Sequence, residues 1–167
     1  EPTNLHETEA LAENIKTLEE VSQILAFLHL NGIFHPDGQV KNWATTPSGK
    51  VGVIDPEKLV SLPQLHPDTA EHMWKDFIKL YSSLRTDNQE PQGLYGVGLL
   101  KGLASKRIEE LFDQLTITNY ADALERYRVQ IACEGNPEDL DVATKQIDLL
   151  LDSLGHYVDR LKSVSCL

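Results

Sequence analysis

The sequence predicts an α+β fold that is mostly helical and carries one β-hairpin. Three observations predict it. Between Leu11 and Leu30, apolar residues recur at helical spacing, with Leu18, Val21, Ile24, Leu25 and Leu28 on one face. Two β-prone runs, Trp43-Ala44-Thr45-Thr46 and Lys50-Val51-Gly52-Val53-Ile54-Asp55, flank Pro47-Ser48-Gly49 as strands flank a turn. After Leu65 the pattern is helical to the end of the chain.

Each element follows from local chemistry. The first helix is expected to be capped by Thr17, with Glu20 completing a capping box, and to stop at a left-handed turn at Asn31-Gly32. The segment Gly32-Ile33-Phe34-His35-Pro36-Asp37-Gly38 cannot continue it, because Pro36 and Gly38 break helices. The hairpin comes next and is the only β-structure expected. His66-Pro67-Asp68 opens a helix through Leu84, with Pro67 and Asp68 suited to its first turn. A loop rich in Asn, Gln, Pro and Gly runs from Thr86 to about Tyr95. Helices are expected over Leu99–Leu115, Tyr120–Cys133 and Leu140–Leu161, the last two separated by Gly135-Asn136-Pro137. The implied organisation is a helical or linker segment over 1–16, a core over 17–85 and a helical subdomain over 86–167.

Composition narrows the function. The 167 residues are 41% hydrophobic and 25% charged, an ordinary composition for a folded domain with its own core. The net charge of −11 argues against nucleic acid and anionic membrane as partners, since both need clustered Lys and Arg. A small anionic ligand is still compatible when metal ions and backbone groups hold it locally. Two cysteines, Cys133 and Cys166, and no long apolar span or signal pattern suit a reduced, cytoplasmic location. The start at Glu1-Pro2-Thr3-Asn4, without Met, suggests a piece of a longer protein.

The segment Phe34-His35-Pro36-Asp37-Gly38-Gln39-Val40-Lys41-Asn42 carries the pattern H-x-D-x-x-x-x-N, and Asp55 closes the second β-run, followed by Pro56-Glu57. Together with the helix before and the helix after, residues 17–85 resemble the catalytic lobe of the protein-kinase-like superfamily. The small-molecule kinases of the aminoglycoside and fructosamine type, where Ile-Asp-Pro often stands for Asp-Phe-Gly, are the more similar branch.

The resemblance implies an ATP-dependent phosphotransferase in which Asp37 accepts the substrate hydroxyl proton and His35 anchors the catalytic loop. It implies Mg2+ held by Asn42 and Asp55, an amide carbonyl and a carboxylate of the hard-oxygen kind that magnesium prefers. It also implies that Asp76, in Trp74-Lys75-Asp76-Phe77, braces the loop from below.

Several positions depart from the family. Gln39 stands where the family usually carries a Lys or His that neutralises the transferring phosphate. Pro36 and Gly38 replace the commoner neighbours of Asp37, and Glu57 follows Pro56 where small residues are frequent. The family's N-terminal lobe, with its Gly-rich loop, has no counterpart before His35, and Gly93-Leu94-Tyr95-Gly96-Val97-Gly98 follows no strand. A partner chain or an absent segment would supply that lobe. The alternative is a pseudokinase or protein-interaction module without catalysis.

Other residues have plainer expectations. Trp43 and Trp74 are core anchors. His29, His66, His72 and His156 are surface or bracing residues, and Cys133 is inert packing. The acidic stretch from Glu138 to Asp152 is a solvated helix face.

Overall fold

The computed structural model describes residues 5–36, 43–45, 51–53, 56–87 and 116–165. Four helices carry most of it. Helix α1 spans Leu5–Leu30, α2 Thr69–Asp87, α3 Thr118–Glu134 and α4 Pro137–Ser165. The short strands β1 (Ile33–Phe34), β2 (Trp43–Thr45), β3 (Val51–Val53) and β4 (Val60–Ser61) lie between α1 and α2. The expected helix over Leu99–Leu115 and the glycine-rich segment 93–98 lie outside the described residues.

The expected hairpin is present. Strand β2 pairs antiparallel with β3, Trp43 facing Val53 and Thr45 facing Val51. It is not the only β-structure. Strand β1 pairs antiparallel with β4, Phe34 facing Val60, and the Leu62 N–H extends the ladder to the Gly32 carbonyl at 2.8 Å. Two-residue strands are too short to show alternation in sequence, so this pairing left no signal.

Helix boundaries also differ. Helix α1 begins at Leu5 and is continuous through Thr17, so Thr17 is not its cap. Helix α2 starts at Thr69, after the expected opening at His66, with the Asp68 carbonyl accepting the first helical bond from His72 N–H at 3.1 Å. Helix α4 starts at Pro137, earlier than Leu140. Proline is preorganised for the first helical position, and Asn136 accepts the Leu140 N–H at 2.9 Å. Only Gly135 and Asn136 separate α3 from α4.

One core joins all four helices. Leu18, Val21, Leu25 and Leu30 of α1 meet Phe34, then Met73, Phe77 and Leu80 of α2, Tyr120 and Leu124 of α3, and Ile147, Leu150 and Tyr157 of α4. The most extensive packing is α1 on α3. Ile24 and Leu28 are only half-buried, because the buried stripe of α1 is rotated to include Ser22 and His29. Trp74 packs against this core half-buried, whereas Cys133 is exposed, so it is not core packing. Arg128 ties α3 to α4 at the surface, donating to Asp148 at 2.6 Å and to Glu125 at 3.0 Å. Among the described residues, no helix is long and apolar enough to cross a membrane.

The turn that ends α1 sets where the following segment goes. Gly32 has φ +73, and a Cβ there would run into the Leu62 carbonyl oxygen. Gly32→Ala therefore combines a left-handed penalty with a backbone clash. It should cost about 2 kcal/mol or more in urea denaturation.

Candidate functional site

The site is built on the C-terminal end of α1. A helix leaves its last four carbonyls without intrahelical partners, and here each one is satisfied. Phe27 O accepts from the Asn31 side-chain amide at 2.8 Å, and Leu28 O from the Asn31 N–H at 3.0 Å. His29 O accepts from the Gly32 N–H and from Gln146 Nε2, both at 3.0 Å. Leu30 O accepts from Gln64 Nε2 at 2.8 Å. Gln146 is fully buried on α4, and its Oε1 takes the Leu65 N–H at 2.8 Å. Leu65 has φ +65, a costly conformation for leucine, so this bond helps to hold the approach to α2.

The His29 side chain continues the network inward. Its ring is completely buried and stacks on Phe34, with centroids 5.0 Å apart. Nε2 lies 2.7 Å from Asp76 Oδ2 on α2, and Nδ1 lies 2.8 Å from the Tyr120 hydroxyl on α3. The same Asp76 Oδ2 accepts the main-chain N–H of His35 at 3.0 Å. One carboxylate oxygen thus joins the end of α1 to the first residue of the H-x-D-x-x-x-x-N segment.

The protonation pattern follows from the partners. The Tyr120 pKa is raised well above its ordinary 10.0, chiefly by burial and further by the Asp76 charge. The phenol therefore keeps its proton, and a neutral His29 ring with its proton on Nε2 would donate to Asp76 and accept the phenol proton at Nδ1. Both donors to Asp76 oppose a charge that would otherwise be stranded in the interior.

Of the residues singled out in the sequence, His35 and Asp76 are thus brought together through the His35 main chain. The His35 ring is fully buried, and neither ring nitrogen is hydrogen-bonded among the described residues. Asp76 Oδ1 is likewise unpartnered among them. Asp37, Gln39, Asn42 and Asp55 lie outside the described residues. Trp43, which follows Asn42, faces Val53, which precedes Ile54 and Asp55. Among the described residues, no group of three or more His, Cys, Asp and Glu could hold a metal ion.

The sequence marks His29 only as a surface or bracing residue and marks neither Tyr120 nor Gln146 as a site residue. His29 did leave a trace, as a polar residue on the apolar stripe of α1. Tyr120 and Gln146 left none, because they lie 91 and 117 residues from His29 in sequence. His66 and His72 are half-buried and His156 is exposed. His72 lies against Phe34, with ring centroids 5.3 Å apart.

No family model, no curated protein and no solved structure matches this chain.

Two predictions follow from the geometry. Asp76→Ala would leave His29 Nε2–H and His35 N–H buried without an acceptor, at a cost of about 3–5 kcal/mol in chemical denaturation. The second concerns alkaline pH. The folded pKa of Tyr120 lies above its unfolded value, so its contribution is complete below that unfolded value and is lost as pH climbs through the folded one. The stability measured by denaturation should thus fall above about pH 10, and less so in Tyr120→Phe.

Proposed function

We propose that this chain is the helical catalytic lobe of an ATP-dependent phosphotransferase of the kinase-like type. The observation that carries the proposal is the bond from His35 N–H to Asp76 Oδ2. It fixes the start of the H-x-D-x-x-x-x-N segment to a buried carboxylate on the next long helix. The antiparallel pairing of Trp43 with Val53 supports the same reading, since it ties the end of that segment to the strand leading to Asp55.

In this reading Asp37 accepts the proton of the substrate hydroxyl, and His35 anchors the loop. Asn42 and Asp55 would hold Mg2+ together with the nucleotide; an amide carbonyl and a carboxylate fit the hard-oxygen preference of that ion. Bound there, Mg·ATP would supply the phosphoryl group and the neutralisation of its charge. Asp76 and His29 act from beneath, by holding the backbone. The Gly-rich loop that covers the nucleotide in the family would come from a separate segment or a partner chain.

A second reading is a pseudokinase or interaction module, and two observations favour it. Gln39 cannot neutralise a transferring phosphate as Lys or His would. A groove of about 480 Å3, where the end of α1 meets α3 and α4, is lined by Phe27, Tyr127 and Ile131, and Phe27 is half exposed. Such a surface suits a protein contact better than a nucleotide.

Calorimetric titration with Mg·ATP separates the readings. The phosphotransferase reading predicts binding that is lost in Asp55→Ala and on chelation of magnesium. Equal binding by Asp55→Ala would contradict the metal assignment, and absence of binding by the unaltered chain would favour the interaction module.

A further inference from the structure

The phosphotransfer reading gives no task to Tyr120, yet this residue is fully buried and reaches the His29 ring. Its hydroxyl lies 2.8 Å from His29 Nδ1. Its ring packs edge-on against Phe77 at 4.9 Å and against His29 at 5.5 Å. We propose that Tyr120 is a positioning residue, which holds the backbone at His35 in place through His29 and Asp76.

A buried hydroxyl needs an acceptor, and among the described residues Nδ1 is the acceptor within reach of this one. A nitrogen that accepts carries a lone pair, so the neutral ring must hold its proton on Nε2. Nε2–H is what the Asp76 carboxylate requires at 2.7 Å. Burial and the Asp76 charge both keep the phenol protonated, so a proton is there to donate at neutral pH.

Without the hydroxyl, Nδ1 would be buried and unpartnered. The ring could relieve this by turning or by binding a second proton. Either change would alter its pull on Asp76 Oδ2, the oxygen that His35 N–H shares at 3.0 Å. Among the described residues, the titratable groups hydrogen-bonded to the ring are Asp76 from α2 and Tyr120 from α3. Tyr120 therefore makes α3, 91 residues along the chain from His29, part of the support of the proposed catalytic loop.

The consequence for catalysis rests on the phosphotransfer reading, but the test does not. It uses the nucleotide-free protein, so a failure of Mg·ATP binding leaves its result standing, and the reverse also holds. The readouts are the ring nitrogen resonances of His29 and the amide proton of His35, compared in the unaltered protein and in Tyr120→Phe at pH 7. The unaltered protein should show Nε2 protonated and Nδ1 as a hydrogen-bonded acceptor. In Tyr120→Phe, with folding checked by thermal melting, the Nδ1 resonance should leave the acceptor position and the His35 amide proton should shift with it. Unmoved resonances in a folded Tyr120→Phe would overturn the proposal. Should that variant fail to fold, the unaltered protein decides alone, since a proton on Nδ1, with or without one on Nε2, would also overturn it.

Discussion

One oxygen of Asp76 accepts two hydrogen bonds in a closed interior, and the arrangement of the chain depends on that oxygen. A carboxylate buried alone is prohibitively costly, and one buried with two N–H donors is tolerable. The donors come from the ring of His29 at the end of α1 and from the backbone of His35 beyond the turn. Helix α2 is thereby fixed against α1, and the segment leaving Phe34 is fixed to both. Tyr120 completes the arrangement from α3 and Gln146 from α4, one gripping the His29 ring and the other its carbonyl. Every helix of the described structure thus contributes a group to the last turn of α1.

Polar satisfaction and apolar packing act here at the same place. Phe34, Phe77 and Tyr120 surround the His29 ring and keep solvent from the bonds it makes. Bonds in such surroundings are electrostatically stronger than in water, and a missing partner is correspondingly expensive. The core is continuous across the four helices, so the helices after residue 115 are integral to the support of His35.

Much of the architecture was legible in the sequence because it is written in local periodicity. The apolar stripe of α1, the two β-prone runs that pair as β2 and β3, and the Gly-Asn-Pro break before α4 are all short-range signals. The misses share a different cause. Thr17 has the residue type of a cap but lies within an apolar periodicity that carries the helix past it. The β1–β4 pairing joins strands too short to alternate, and it is held by Gly32 and Phe34. At the candidate site, His35 and Asp76 were singled out by the family resemblance, and the fold brings them together through the His35 main chain. His29 shows only as a polar residue on the apolar stripe of α1, and Tyr120 and Gln146, joined to it by the tertiary fold alone, leave no periodic trace.

The central claim is that Asp76 holds the main chain at His35 within the rigid core. Native-state amide hydrogen exchange of the unaltered protein tests it most directly, with the His35 amide compared with amides in the buried half of α1. The account predicts that His35 exchanges as slowly as those core amides, through global unfolding alone. Exchange at the rate of an open loop would contradict it, because the carboxylate would then not hold that N–H.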